Sequence, residues 1–203
     1  MFDLDQFISD CRVALQQNPP QSSVREVVAR AVSDPATVLK ALGEPKRGEI
    51  QTLHRASDLT ILKVIWAPWM TLLPHDHRMW AVIGIYTGRE DNIFWRRLQS
   101  SGGVKVEAAG AKALVEKESV PLGHDIIHSV TNPIPRFTGA IHIYGGDFFG
   151  VPRSEWDPET LLEQPSDGWK MASRLEDANA LFASTPQKRT AEPARVVNPT
   201  RVS

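Results

Sequence analysis

The sequence predicts a mainly β fold, a jelly-roll barrel of antiparallel strands preceded by short α-helices. Three observations predict it. Strand-like segments recur from about residue 50 to Tyr144, a helical apolar period marks the first 45 residues, and neither an internal repeat nor a βαβ alternation is visible.

At the N-terminus Leu4, Phe7, Ile8, Cys11, Ala14 and Leu15 recur at intervals of three and four, which places them on one stripe of a helix that Pro19-Pro20 ends. A second helix is predicted to start at the caps Ser22 and Ser23 and to carry Val24, Val27, Val28 and Ala31. Asp34-Pro35 reads as a cap followed by a proline at the first helical position of a third. Strands are predicted over 60–66, 80–86, 92–97, 104–107, 113–116, 125–130 and 138–144, spaced as in a sandwich or barrel. After Gly145-Gly146 the chain turns irregular, a helix is predicted from Trp169 to Phe182, and the last 20 residues read as a mobile tail. The organisation is a helical extension over 1–48, a barrel over 49–165 and a C-terminal helix with its tail over 166–203, together one structural domain.

The charges nearly cancel, 23 basic against 24 acidic residues, so no nucleic-acid partner is expected. Cys11 is the single cysteine and excludes an intramolecular disulfide. Acids stand at the N-terminus where a secretory signal needs positive charge, and no apolar run approaches the roughly 20 residues that span a bilayer. A cytoplasmic protein without a membrane partner is expected. Its oligomeric state is not legible.

The sharpest local signal is His75-Asp76-His77 ahead of an apolar strand. With the strand period of two, both imidazoles leave the same face and can reach one metal ion, while Asp76 points away. A lone His-x-His occurs by chance, but His128 on a later predicted strand supplies a third ligand. His124 competes with His128. Four strand residues span about 13 Å, so one ion cannot easily take both, and His128 is preferred because Gly123-His124 reads as the turn before the strand. His54 is expected at the surface.

At these residues the chain resembles the cupin superfamily, whose fold is the double-stranded β-helix. His75 and His77 match the paired histidines of the first cupin motif; Pro121, Gly123, His128 and Asn132 resemble the second, with two extra residues between Gly123 and His128. The glutamate usual after the pair is replaced by Trp80-Ala81. That loss resembles the thiol dioxygenases related to cysteine dioxygenase, including the bacterial 3-mercaptopropionate type. The likeness covers about residues 50–153, with Trp66 nine residues before His75 and the N-terminal helices in keeping. The resemblance implies Fe(II) on His75, His77 and His128, and oxidation of a small thiol by O2 to its sulfinic acid. It also implies a relay through His142 and Tyr144, in which Ala140 stands where the family has serine, and a substrate carboxylate held by Arg153 or by Arg55. The thioether crosslink of the animal enzymes cannot form, because Cys11 lies far from the barrel motifs.

Arg78 and Arg89 are weaker cation candidates, and Trp66, Trp69, Trp80 and Trp95 are expected to be packing. Two rival readings stay open: the same site with zinc or nickel and non-oxidative chemistry, and a cupin barrel that binds a ligand without catalysis.

Overall fold

The computed structural model describes residues 1–184; the predicted tail over 185–203 lies outside the described residues. Three helices come first, α1 (Leu4–Ala14), α2 (Pro20–Val32) and α3 (Pro35–Leu42). Asp3 caps α1, its side chain accepting from the Gln6 N–H at 2.8 Å. The helix buries Phe7, Cys11 and Ala14, which share one face. Ser22 and Ser23 are not caps. Pro20 opens α2 and both serines lie inside it, because a proline gives up no helical hydrogen bond at the first position. Asp34 does precede α3 with Pro35 next, though its side chain makes no capping bond.

The barrel follows as β1 (Glu49–Arg55), β2 (Thr60–Trp66), β3 (Thr71–Asp76), β4 (Ala81–Thr87), β5 (Arg89–Ser100), β6 (Gly103–Val115), β7 (Ser119–Leu122), β8 (Ile127–Thr131), β9 (Thr138–Tyr144), β10 (Ser154–Trp156) and β11 (Glu163–Pro165), with α4 (Gly168–Ser184) last. One sheet runs β1-β2-β9-β4-β7 and the other β11-β10-β3-β8-β5-β6, each pairing antiparallel. From β2 to β5 the chain alternates between the sheets, β7 adds at the edge beside β4, and β8 and β9 return between the earlier strands. That interleaving of two Greek keys is the jelly-roll, or double-stranded β-helix.

Strands predicted at 60–66 and 138–144 coincide with β2 and β9. Those at 104–107 and 113–116 are one strand, β6, whose middle, Ala108-Ala109-Gly110-Ala111, has no β-branched residue and is held by its backbone ladder to β5. The short strands β7, β10 and β11 carried too little apolar period to be predicted.

Strands β2 and β9 are buried along their whole length, because both faces of the first sheet are covered. Its inner face presents Leu62, Val64, Trp66, Ile83, Ala140 and Tyr144 to the barrel interior. Its outer face packs Ile61, Ile65, Val82, Tyr86 and Ile141 against Phe7, Cys11, Val24 and Val28 of the helices. Burial pushes the Cys11 thiol up to about 12, so it is inert at neutral pH. No helix among the described residues is long and apolar enough to cross a membrane.

Candidate metal centre

His75 lies near the end of β3, directly opposite His128 of β8 in the ladder, and His77 follows just past the strand. The period of two turns His75 and His77 inward and Asp76 outward. There Asp76 is buried and accepts from Arg78 at 2.6 Å, Arg97 at 2.8 Å and the Ser154 N–H at 2.8 Å, which pins the histidine segment to β5 and β10.

The three imidazoles converge. His77 Nε2 is 3.2 Å from His75 Nε2 and 3.2 Å from His128 Nε2. His75 Nδ1 faces the Leu73 carbonyl at 2.9 Å, and His128 Nδ1 faces Asn92 Oδ1 at 2.7 Å. Both of those partners only accept, so each Nδ1 carries the hydrogen and each Nε2 presents a lone pair to the centre. His77 can donate to one neighbour at most, so lone pairs oppose each other at van der Waals range unless a cation sits among them. Nitrogens roughly 2.0–2.1 Å from a shared ion and 3.2 Å apart subtend about 100° at it, so the donor set fits a metal. Burial, reinforced by the neighbouring rings, holds His77 and His128 well below the ordinary imidazole range, and burial lowers His75 to about 4. All three are neutral at pH 7. Among the described residues no carboxylate joins this cluster.

A second buried group sits beside the first. On β9, His142 and Tyr144 face inward, with His142 Nδ1 3.1 Å from the Tyr144 hydroxyl. The Tyr144 ring meets that of His77 edge to face, centroids 5.0 Å apart, and burial raises its hydroxyl pKa. Glu90, fully buried on β5, reaches across the barrel toward the same pair. Its carboxylate accepts from Trp66 Nε1 at 2.7 Å and Asn92 Nδ2 at 3.0 Å, and its Oε2 lies 3.5 Å from His142 Nε2. Burial pushes this carboxyl up, but the interactions with His142, Asn92 and Trp66 outweigh it and leave it below its ordinary range.

Glu90 and Asn92 were missed in the sequence. The sequence predicts a strand from Asn92, whereas β5 begins at Arg89, so Glu90, Asn92 and Phe94 form one inward face. Two polar residues at alternate positions of that strand were the available signal. His128 pairs with Phe94, which makes Asn92 its diagonal neighbour, within reach of the ring.

The triad, His142 and Tyr144 line a cavity of about 400 Å³ walled by Ile50, Leu62, Val64 and Phe148 and covered by Met171 and Leu175 of α4. Arg153 lines it too, its guanidinium 3.7 Å over the Phe148 ring, and burial lowers its pKa. No carboxylate among the described residues is within ion-pair distance of Arg153. Arg55 is elsewhere: it is half exposed, paired with Asp147 at 2.8 Å, and absent from the cavity wall. Arg78 and Arg89 are likewise engaged, with Asp76 and Asp91.

His124 is exposed beside Asp125, away from the triad. His54 is half-buried on β1, not fully at the surface, and stands outside the site. Trp66, Trp80 and Trp95 pack as expected, Trp66 also lining the cavity, whereas Trp69 is 61% exposed.

No protein-family model matches the chain. Among solved structures, an RmlC-like cupin family protein of Methanocaldococcus jannaschii with a double-stranded β-helix fold is 9% identical over 53% of this chain and 88% of its own, with a TM-score of 0.44. A Klebsiella pneumoniae protein with a double-stranded β-helix domain is 12% identical over 54% of this chain and 82% of its own, TM-score 0.40. An oxalate oxidase in complex with the substrate analogue glycolate is 14% identical over 52% of this chain and 54% of its own, TM-score 0.39.

Proposed function

We propose that this protein is a non-haem iron thiol dioxygenase, which converts a small thiol acid of the 3-mercaptopropionate or cysteine kind to its sulfinic acid, R–SH + O2 → R–SO2H. The observation that supports this reading is the all-imidazole triad of His75, His77 and His128 with no carboxylate in the cluster. Ferrous iron on three neutral ligands keeps its full dipositive charge and supplies Lewis acidity toward a thiol together with the one-electron chemistry that dioxygen needs.

The chain's own groups do the rest. Arg153, a cation on the cavity wall without a carboxylate partner, pairs with the carboxylate of the substrate and sets its distance from the triad. Tyr144 Oη, beside His77 and bonded to His142, holds a proton that it can share with the bound substrate. Phe148, Met171 and Leu175 exclude water from the thiol.

The test is aerobic incubation of the iron-loaded protein with 3-mercaptopropionate, cysteine and cysteamine, following oxygen uptake and the mass gain of two oxygen atoms. The two acids should turn over and cysteamine, which lacks a carboxylate, should be poorest. Arg153→Met should lower kcat/KM for the acids by about 10–100-fold, the worth of one charge-assisted contact, and leave cysteamine little changed. Absence of uptake with every thiol despite full iron occupancy would overturn the proposal.

A further inference from the structure

Glu90 faces three nitrogens, and an ionised carboxylate can only accept. Trp66 Nε1 and Asn92 Nδ2 are obligate donors, at 2.7 and 3.0 Å. His142 Nε2 is buried and makes no hydrogen bond among the described residues, and the acceptor it faces is Glu90 Oε2 at 3.5 Å. Whenever the ring carries a single hydrogen, that hydrogen therefore belongs on Nε2, which leaves Nδ1 as the acceptor for the Tyr144 hydroxyl at 3.1 Å. Asn92, held through its amide nitrogen by Glu90, must turn its oxygen toward His128 Nδ1, at 2.7 Å. One carboxylate thus orders two chains. One runs to the hydroxyl beside the cavity and the other to a ligand of the metal centre.

We propose that Glu90 is the positioning residue of this site, a buried carboxylate that sets the His142 tautomer, and with it the direction of the Tyr144 hydrogen bond, while fixing His128 through Asn92. The inference rests on the triad and on the pairing of His142 with Tyr144, and does not depend on which substrate is oxidised.

The variant that tests it is Glu90→Gln, isosteric but with an amide donor that must meet a donor on Trp66, Asn92 or His142. In metal-free protein carrying 15N-labelled histidine, the wild type should show His142 with its hydrogen on Nε2. Glu90→Gln should shift it to Nδ1 or to a mixture of the two tautomers. The variant's affinity for Zn2+, used as a redox-inert probe, should fall about tenfold, and kcat of the iron-loaded enzyme with a thiol that the wild type oxidises should fall about 10–100-fold with KM nearly unchanged. Glu90→Asp, which keeps the charge, should retain the Nε2–H form. An unchanged His142 tautomer together with unchanged zinc affinity in folded Glu90→Gln overturns the proposal.

Should Glu90→Gln not fold, Trp66→Phe serves instead, since it frees Oε2 of one donor and leaves His142 its acceptor. The Nε2–H form should then persist, and a shift to Nδ1–H overturns the proposal. Tautomer and zinc affinity are read without any thiol, so failure here and failure of thiol oxidation are separate results.

Discussion

The imidazoles of His75 and His128 divide their functions by nitrogen. Nδ1 donates to a fixed acceptor, and Nε2 faces the centre. Burial makes protonation of these rings costly, and this has a signed consequence for stability. His75 titrates near 6.5 when unfolded and at about 4 when folded, so between those values the unfolded chain binds more protons. The stability of metal-free protein should therefore fall as pH drops from about 6.5 towards 4, with each such ring adding up to about 1.4 kcal/mol per pH unit. His77 and His128 are shifted in the same direction and should add to the slope. Urea midpoints across that range check this. The slope should be shallower in His128→Gln, and a flat profile would contradict the neutral-triad account. His75 and His77 were legible in the sequence because their spacing is a strand-period statement, and His128 because it lies on a later predicted strand. Glu90 and Asn92 were not, because their roles arise from a diagonal contact between β5 and β8 and from a reach across the barrel.

Of the helix–strand contacts, the most extensive is that of α2 on β4, and a glycine permits its close approach. A Cβ at Gly84 would stand 2.3 Å from Val28 Cγ1 and 3.0 Å from Val32 Cγ1. Both valines are β-branched residues in a helix, with one favoured rotamer each, so they cannot swing aside. Gly84→Ala should cost about 1–3 kcal/mol through overpacking. Val28→Ala in the same chain should recover part of that loss, which a double-mutant cycle of denaturation midpoints measures. The valine stripe of α2 was legible from its helical period, and so was the β4 strand. Their meeting at Gly84 was not, since a stripe states that a face is buried without stating against what.

In the whole molecule the histidine triad joins the end of β3 to β8 within one sheet, while α4 closes the barrel mouth above it. Asn179 of α4 bonds both the N–H and the C=O of Gly48, at 2.6 and 3.0 Å, and Arg174 pairs with buried Glu155. An ion bound by the folded triad and not by the unfolded chain stabilises by mass action, about 2.7 kcal/mol at one hundred times its Kd. That corresponds to a rise in Tm of roughly 5–10 °C for a domain of this size. Addition of Fe2+ or Zn2+ to metal-free protein should produce that rise, a chelator should reverse it, and His128→Ala should abolish it. An equal rise in His128→Ala would place the ion elsewhere.

By itself the sequence determined the class of fold, the short N-terminal helices, most of the strands and the paired imidazoles of His75 and His77, because each follows from the period of a helix or a strand acting over neighbouring residues. Only the tertiary structure decided that His128 and not His124 completes the triad, that Arg153 faces the cavity while Arg55 is occupied by Asp147, and that Glu90 stands where two hydrogen-bond chains meet. Each of these depends on residues far apart in the chain being brought within a few ångströms by sheet register, and register is a property of the packed barrel, not of any one segment.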